Sequence, residues 1–244
     1  MRAPRLFQPG PLATGETVAL TPTAAAHVTR VLRLRPGDAL VLFDGRGGEY
    51  AARLTAIGRD GVTAAVLEHH AREVESPLAV TLLMGLARGE RMDFALQKAT
   101  ELGVARIVPV VCARSVVHFD AARAAKRLEH WGGVVVAACE QCGRNRVPAV
   151  EPVITFEQAL SRPRAPRALV LDPAEGEALR GLARPAEAVV ELLIGPEGGL
   201  NAAEREAARA AGFTPVRLGP RVLRTETAAA AALAALQALW GDVG

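Results

Sequence analysis

Arg221, Arg224, Thr225, Glu226 and Thr227 crowd one short stretch, Leu218-Gly-Pro-Arg-Val-Leu-Arg-Thr-Glu-Thr-Ala228, between an apolar run and an alanine-rich helical pattern. Thr225 or Thr227 can cap that helix, and Glu226 suits its first turn. Arg224 fits neither role, because a cation at a helix N-terminus is unfavourable unless an anion faces it. It is the first candidate for a substrate contact. A second stretch lies upstream, Ile194-Gly-Pro-Glu-Gly-Gly-Leu200. It is not a phosphate P-loop, since no Gly-Lys-Ser/Thr follows, and its spacing differs from the dinucleotide fingerprint. Gly195, Gly198 and Gly199 let the main chain approach a ligand closely or make a tight turn, and both readings stand. Pro196 removes a donor and stiffens the loop.

Each stretch needs a strand before it and a helix after it. Val189 to Ile194 and Pro215 to Leu218 read as buried strands; Asn201 to Ala211 and Thr225 to Trp240 read as helices. Asn201 and Glu204 resemble a capping box. A strand that ends at a glycine turn and opens a helix presents backbone N–H groups to a ligand. Two such turns close in sequence suggest one ligand held between them. Further upstream, strands are expected at Leu78 to Gly85, Val104 to Val111 and Arg167 to Leu171, and helices at Arg91 to Leu102 and Ala121 to Cys142. This alternation implies a mainly parallel sheet covered on both faces. Residues 1–72 differ. Val18 to Leu20, Ala39 to Phe43, Glu49 to Leu54 and Val62 to Leu67 are short strand candidates separated by turn signals. One helix, Thr23 to Leu32, interrupts them, with Thr21-Pro22 as its start. The pattern changes at Glu73–Pro77, so two domains are expected, 1–72 and 73–244.

The 244 residues are half hydrophobic and carry a formal charge of +3. The basic residues are almost all arginine, Lys98 and Lys126 being the only lysines. Arginine offers a planar fork for phosphate, and codon bias explains the excess equally well. The surplus lies in residues 1–72, with nine arginines against six acids, whereas 73–244 hold twenty of each sign. Cys112, Cys139 and Cys142, with no apolar leader, suggest a reducing compartment. Cys139-Glu-Gln-Cys142 has CxxC spacing but lies in a helical pattern without two further ligands, so it reads as packing rather than a metal site. His27 reads as packed or capping, and His69, His70, His118 and His130 have no ligand spacing. Thr227 to Trp240 is mostly alanine, carries Gln237 and is shorter than the ~20 residues a membrane span needs. A soluble cytoplasmic protein is expected.

The chain resembles the SPOUT superfamily of methyltransferases, and more narrowly the family that methylates uracil N3 in small-subunit (16S) ribosomal RNA. The resemblance runs through His27–Arg33 with Pro36-Gly-Asp38, Arg91–Gly103, Glu140-Gln-Cys-Gly-Arg144 with Pro148, and the two glycine stretches. It implies a PUA-like RNA-binding β-barrel followed by an α/β domain with a C-terminal trefoil knot. It implies S-adenosylmethionine as methyl donor, gripped by the segment after Leu171, the Gly195 loop and Leu218–Leu223. The donor contacts would be Leu171, Ile194, Gly195, Pro196, Gly198 and Gly199, then Leu218, Gly219, Leu223, Thr225 and Thr227. Arg224 would offset charge on the uracil oxygens, and Glu197 would act as base or bind the donor's amino group. Arg2, Arg5, Arg30, Arg33 and Arg35 become candidate phosphate contacts. Arg91 with Asp93 is either an RNA contact or an exposed ion pair. A homodimer is implied, with ribosomal RNA or the small subunit as partner. Other targets, ribose 2′-hydroxyl or guanine N1, are the alternative. A non-catalytic RNA-binding protein is disfavoured by Glu197, Arg224 and Glu226 beside intact glycine loops.

Overall fold

The computed structural model describes residues 3–59, 61–116 and 121–244, without side chains at 121–123; Arg2 and His118 lie outside the described residues. The chain forms two compact units, Met1–Glu75 with Cys139–Val147, and Ser76–Ala138 with Pro148–Gly244.

The first unit is a five-stranded mixed sheet of β1 (Arg5–Phe7), β2 (Thr17–Ala19), β3 (Ala39–Phe43), β4 (Glu49–Gly58) and β5 (Gly61–His70). Their order is β1-β3-β4-β5-β2; β1 runs parallel to β3 and the other pairs are antiparallel. A side chain bridges the two edge strands: the Gln8 amide, just after β1, donates to Ala19 O at the end of β2 (3.1 Å) and accepts from Thr21 N–H (3.2 Å). Leu6, Val28, Leu40, Leu42, Leu54 and Val66 fill the interior. β4 and β5 run past their predicted ends at Leu54 and Leu67 because the added residues, Thr55–Gly58 and Glu68–His70, are exposed and held by backbone pairing, which leaves little apolar pattern. The predicted helix Thr23–Leu32 is α1 (Pro22–Ala26) followed by a π-helical turn, His27–Val31. Thr21 caps α1 as expected, accepting from Ala24 N–H at 3.2 Å. Arg33 then reverses the chain at φ 53°, a conformation costly for a residue with a Cβ.

The return of Cys139–Val147 to this unit is not visible in sequence. Arg5 organises it. Its guanidinium pairs with Glu49, donates to Asn145 Oδ1 (2.6 Å) and to Arg144 O (3.2 Å), and lies 5.0 Å from the Phe43 ring centroid. Glu140 accepts from Phe7 N–H (2.9 Å), and Arg144 pairs with Glu75 at 2.5 Å. The Glu140–Arg144 stretch therefore joins segments of the first unit. Arg5 is only 8% exposed, so the phosphate contact expected of it is corrected: its charge is engaged inside the protein.

The second unit is an eight-stranded sheet: β6 (Ala79–Gly85), β7 (Val104–Val111), β8 (Ala149–Val150), β9 (Ile154–Thr155), β10 (Arg167–Leu171), β11 (Glu177–Ala178), β12 (Val189–Ile194) and β13 (Thr214–Arg217). The order is β11-β13-β10-β12-β6-β7-β8, with β9 also on β7, and every pair is parallel. The helices are α2 (Gly89–Glu101), α3 (Ala121–Cys142), α4 (Phe156–Leu160), α5 (Ala202–Ala210) and α6 (Thr225–Trp240). Leu83, Val108, Val110, Val170, Leu193 and Phe213 belong to the core. α5 has the expected capping box: Glu204 N–H donates to Asn201 Oδ1 and Asn201 N–H to Glu204 Oε2, both at 2.8 Å. The short β8, β9, β11 and α4 escaped sequence reading, although Thr155 and Gln158 form a capping box at α4.

Candidate active site

In a parallel sheet all carboxyl ends point one way, and loops leaving adjacent strands meet there. β13, β10 and β12 are neighbours. Their loops, far apart in sequence, therefore stand side by side. They enclose a cavity of about 480 Å³ lined by Leu171–Ala174, Ile194–Leu200 and Val216–Gly219, with Arg221–Thr225 and Ala228. Arg91, Arg114 and Arg205 complete the wall. Ten of the eleven residues expected to touch a donor line this cavity; Thr227 does not, and is exposed.

Local chemistry fixes each loop. At the end of β6, a Cβ on Gly85 would collide with Pro196 N and Gly195 C, so only glycine lets the Gly195 loop settle there. Gly199 N–H closes the loop onto Pro196 O at 2.8 Å, with Gly199 at φ 65°. The Thr225 hydroxyl donates to Gly195 O, tying this loop to the start of α6. That corrects the expectation of a threonine cap: the N-cap residue is Arg224, whose side chain makes no capping bond, and Thr225 instead holds the neighbouring loop. Arg224 is exposed and lines the cavity.

Glu197 has one oxygen engaged and one free. Oε1 accepts from Arg88 N–H (2.9 Å) at the N-terminus of α2 and lies 3.5 Å from Arg91 Nη1. Oε2 is buried without a hydrogen-bond partner. Arg91 thus faces Glu197, while Asp93 meets His130 at 2.9 Å, so of the two readings of Arg91 and Asp93 the mutual ion pair is not the one formed among the described residues.

Asp172 was missed from sequence. It is buried, and Oδ1 accepts from Ala174 N–H (3.0 Å) and Glu175 N–H (3.3 Å). Oδ2 lies 3.7 Å from Arg205 Nε and 3.5 Å from Arg209 Nη2, which pins the loop after β10 to α5. An acid directly after the apolar run Arg167–Leu171 was its available signal. Arg114, whose Nη1 donates to Gly198 O at 3.2 Å, gave none.

In the first unit Arg30, Arg33 and Arg35 are exposed near the π-helical turn. Cys139 is buried, its Sγ 3.8 Å from Arg146 O, and burial pushes its thiol up to about 12, as it does that of Cys112.

Residues 74–237 match the family model for the RNA methyltransferase domain, and residues 20–67 that for the RNA methyltransferase PUA domain. A ribosomal RNA small subunit methyltransferase E of Mycobacterium bovis is 36% identical over 231 residues, covering 93% of this chain and 88% of that protein. The chain belongs to the ribosomal RNA small subunit methyltransferase E family. A Neisseria gonorrhoeae protein of that name, whose crystal structure holds S-adenosyl methionine, is 43% identical with a TM-score of 0.92 over 100% of both chains. A Legionella pneumophila methyltransferase in complex with the same compound is 38% identical, with a TM-score of 0.95 over 99% of this chain and 100% of that one. Membership makes the chain an RNA methyltransferase with an N-terminal PUA-like domain, here the mixed sheet of the first unit.

Proposed function

We propose that the cavity binds S-adenosylmethionine and that the enzyme methylates N3 of a uracil in small-subunit ribosomal RNA. One observation carries the donor assignment. Glu197 Oε2 is a buried, unpartnered acceptor in the wall of a cavity built by three neighbouring loops. A buried polar atom without a partner is costly unless a ligand completes it. The donor's ammonium group suits it. Leu171, Ile194, Leu218 and Leu223 provide apolar surface for an adenine, and the glycine loops bring backbone groups within reach of its edge. When bound, the sulfonium supplies a methyl group activated by a neutral leaving group.

The chain's own residues must hold the uracil N3 in line and favour loss of its proton. Arg224 stands at the cavity mouth and offsets the negative charge that spreads onto the uracil oxygens as N3 deprotonates. Glu197 is held at the start of α2, so it is assigned to the donor's ammonium rather than to the proton. Thr225 and Gly85 keep the Gly195 loop in place.

Labour divides between residues 1–72, which grip RNA through Arg30, Arg33 and Arg35, and 73–244, which carry the chemistry. The adjacency of β13, β10 and β12 supports a trefoil knot threaded through their loops. The alanine-rich α6 supports close packing against a second copy as a homodimer. A cytoplasmic location follows from the ribosomal substrate.

The test is transfer of a labelled methyl group to naked small-subunit RNA and to assembled subunits. A methyl on N3 blocks base pairing and halts reverse transcription, so the modified base maps directly. Label at a ribose 2′-oxygen or guanine N1, or no transfer by protein that binds the donor, sinks the uracil N3 reading.

A further inference from the structure

The charges around the cavity do not match its proposed occupant. Six arginines line it against two carboxylates, Asp172 and Glu197, and the one free carboxylate oxygen, Glu197 Oε2, is assigned above to the donor's ammonium. Asp172 holds Arg205 and Arg209, and Glu197 holds the Arg88 N–H and faces Arg91. Arg114, Arg217, Arg221 and Arg224 line the cavity, are exposed, and have no ion pair among the described residues. The bond from Arg114 to Gly198 O aims the side chain but does not neutralise it. S-adenosylmethionine is itself cationic overall, and its single carboxylate can take one arginine. Unpaired like charges in a cleft repel, so the surplus needs an anion from elsewhere.

Resting on the donor reading above, we propose that Arg114 and Arg221 hold backbone phosphates of the RNA flanking the target nucleotide. They reach the cavity from different loops, Arg114 after β7 against Gly198 and Arg221 after β13, so they can grip the strand at two points. Between Arg221 and Leu223 stands Val222, 82% exposed, an apolar face for a base lifted out of its stack. Arg224 remains for the uracil itself.

The experiment measures binding of a small-subunit RNA fragment to the full chain without donor, across a range of salt. Arg114→Ala and Arg221→Ala should each flatten the slope of log affinity against log salt by about 0.7–0.9. Arg114→Lys and Arg221→Lys should restore the slope, because they keep the charge. Donor affinity and unliganded melting temperature should match wild type. An unchanged slope in folded variants overturns the proposal. Loss of donor affinity with unchanged RNA binding also overturns it and assigns the arginine to the donor's carboxylate. Loss of dimer in light scattering with an unchanged slope overturns it in favour of a subunit contact. Wild-type protein that binds RNA but not the donor would sink the donor reading instead, and the two failures are distinguishable.

Discussion

At the residue scale, Arg224 and Glu197 divide the work by what surrounds them. Arg224 forms no ion pair among the described residues and lines the cavity from the N-cap position of α6. Arg224→Ala should therefore lower kcat by about 10²–10³, the loss typical of one preorganised charge-stabilising group. The thermal shift produced by S-adenosylmethionine should survive; equal loss of both would remove the assigned role. Glu197 is tied to backbone through one oxygen and offers the other. Glu197→Gln keeps an acceptor for Arg88 N–H but no charge, so donor affinity should fall at least tenfold with little change in melting temperature. Glu197→Ala should lower both. Cys112 and Cys139, both held near 12, should resist alkylation at pH 8 in folded protein and react on unfolding, read by mass spectrometry. The local pattern offers Thr225 or Thr227 as a cap; the Thr225 hydroxyl's partner, Gly195 O, lies thirty residues away.

Elements place these residues by meeting one another. The end of β6 touches the Gly195 loop so closely that a methyl on Gly85 must displace backbone rather than a side-chain tip. Gly85→Ala should cost about 1–3 kcal/mol of stability, as overpacking does, and weaken donor binding. Denaturant titration and calorimetry read the two effects, and an unchanged donor affinity would show that the loop does not need this seat. Strands such as Val104–Val111 and Val189–Ile194 matched their predicted bounds because a largely buried strand is a mostly apolar run, broken here only by Arg106 and Glu191. The π-helical turn at His27–Val31 was read as ordinary helix, since the side-chain period hardly changes over five residues.

At the scale of the whole molecule, one pH-dependent contribution to stability comes from Glu151. Glu151 is held below its ordinary value by hydrogen bonds from Arg162, aided by that charge and by Arg106. A lowered folded value means stability that is present above the unfolded value of 4.5 and is lost as pH falls through the folded one. Glu151→Gln should flatten the acid side of a melting-temperature profile below about pH 4.5; an unaltered profile would show the pair contributes nothing. Sequence by itself determined the longer strands and helices and the residues of the two glycine loops, because each is written in neighbouring side chains. Only the tertiary structure decided that β10 lies between β12 and β13, bringing Leu171 and Asp172 to the same cavity. It also decided that Cys139–Val147 rejoins the first unit and that Arg5 is buried there. Apolar period and turn chemistry report a segment's own shape, whereas its partners depend on packing between segments far apart along the chain.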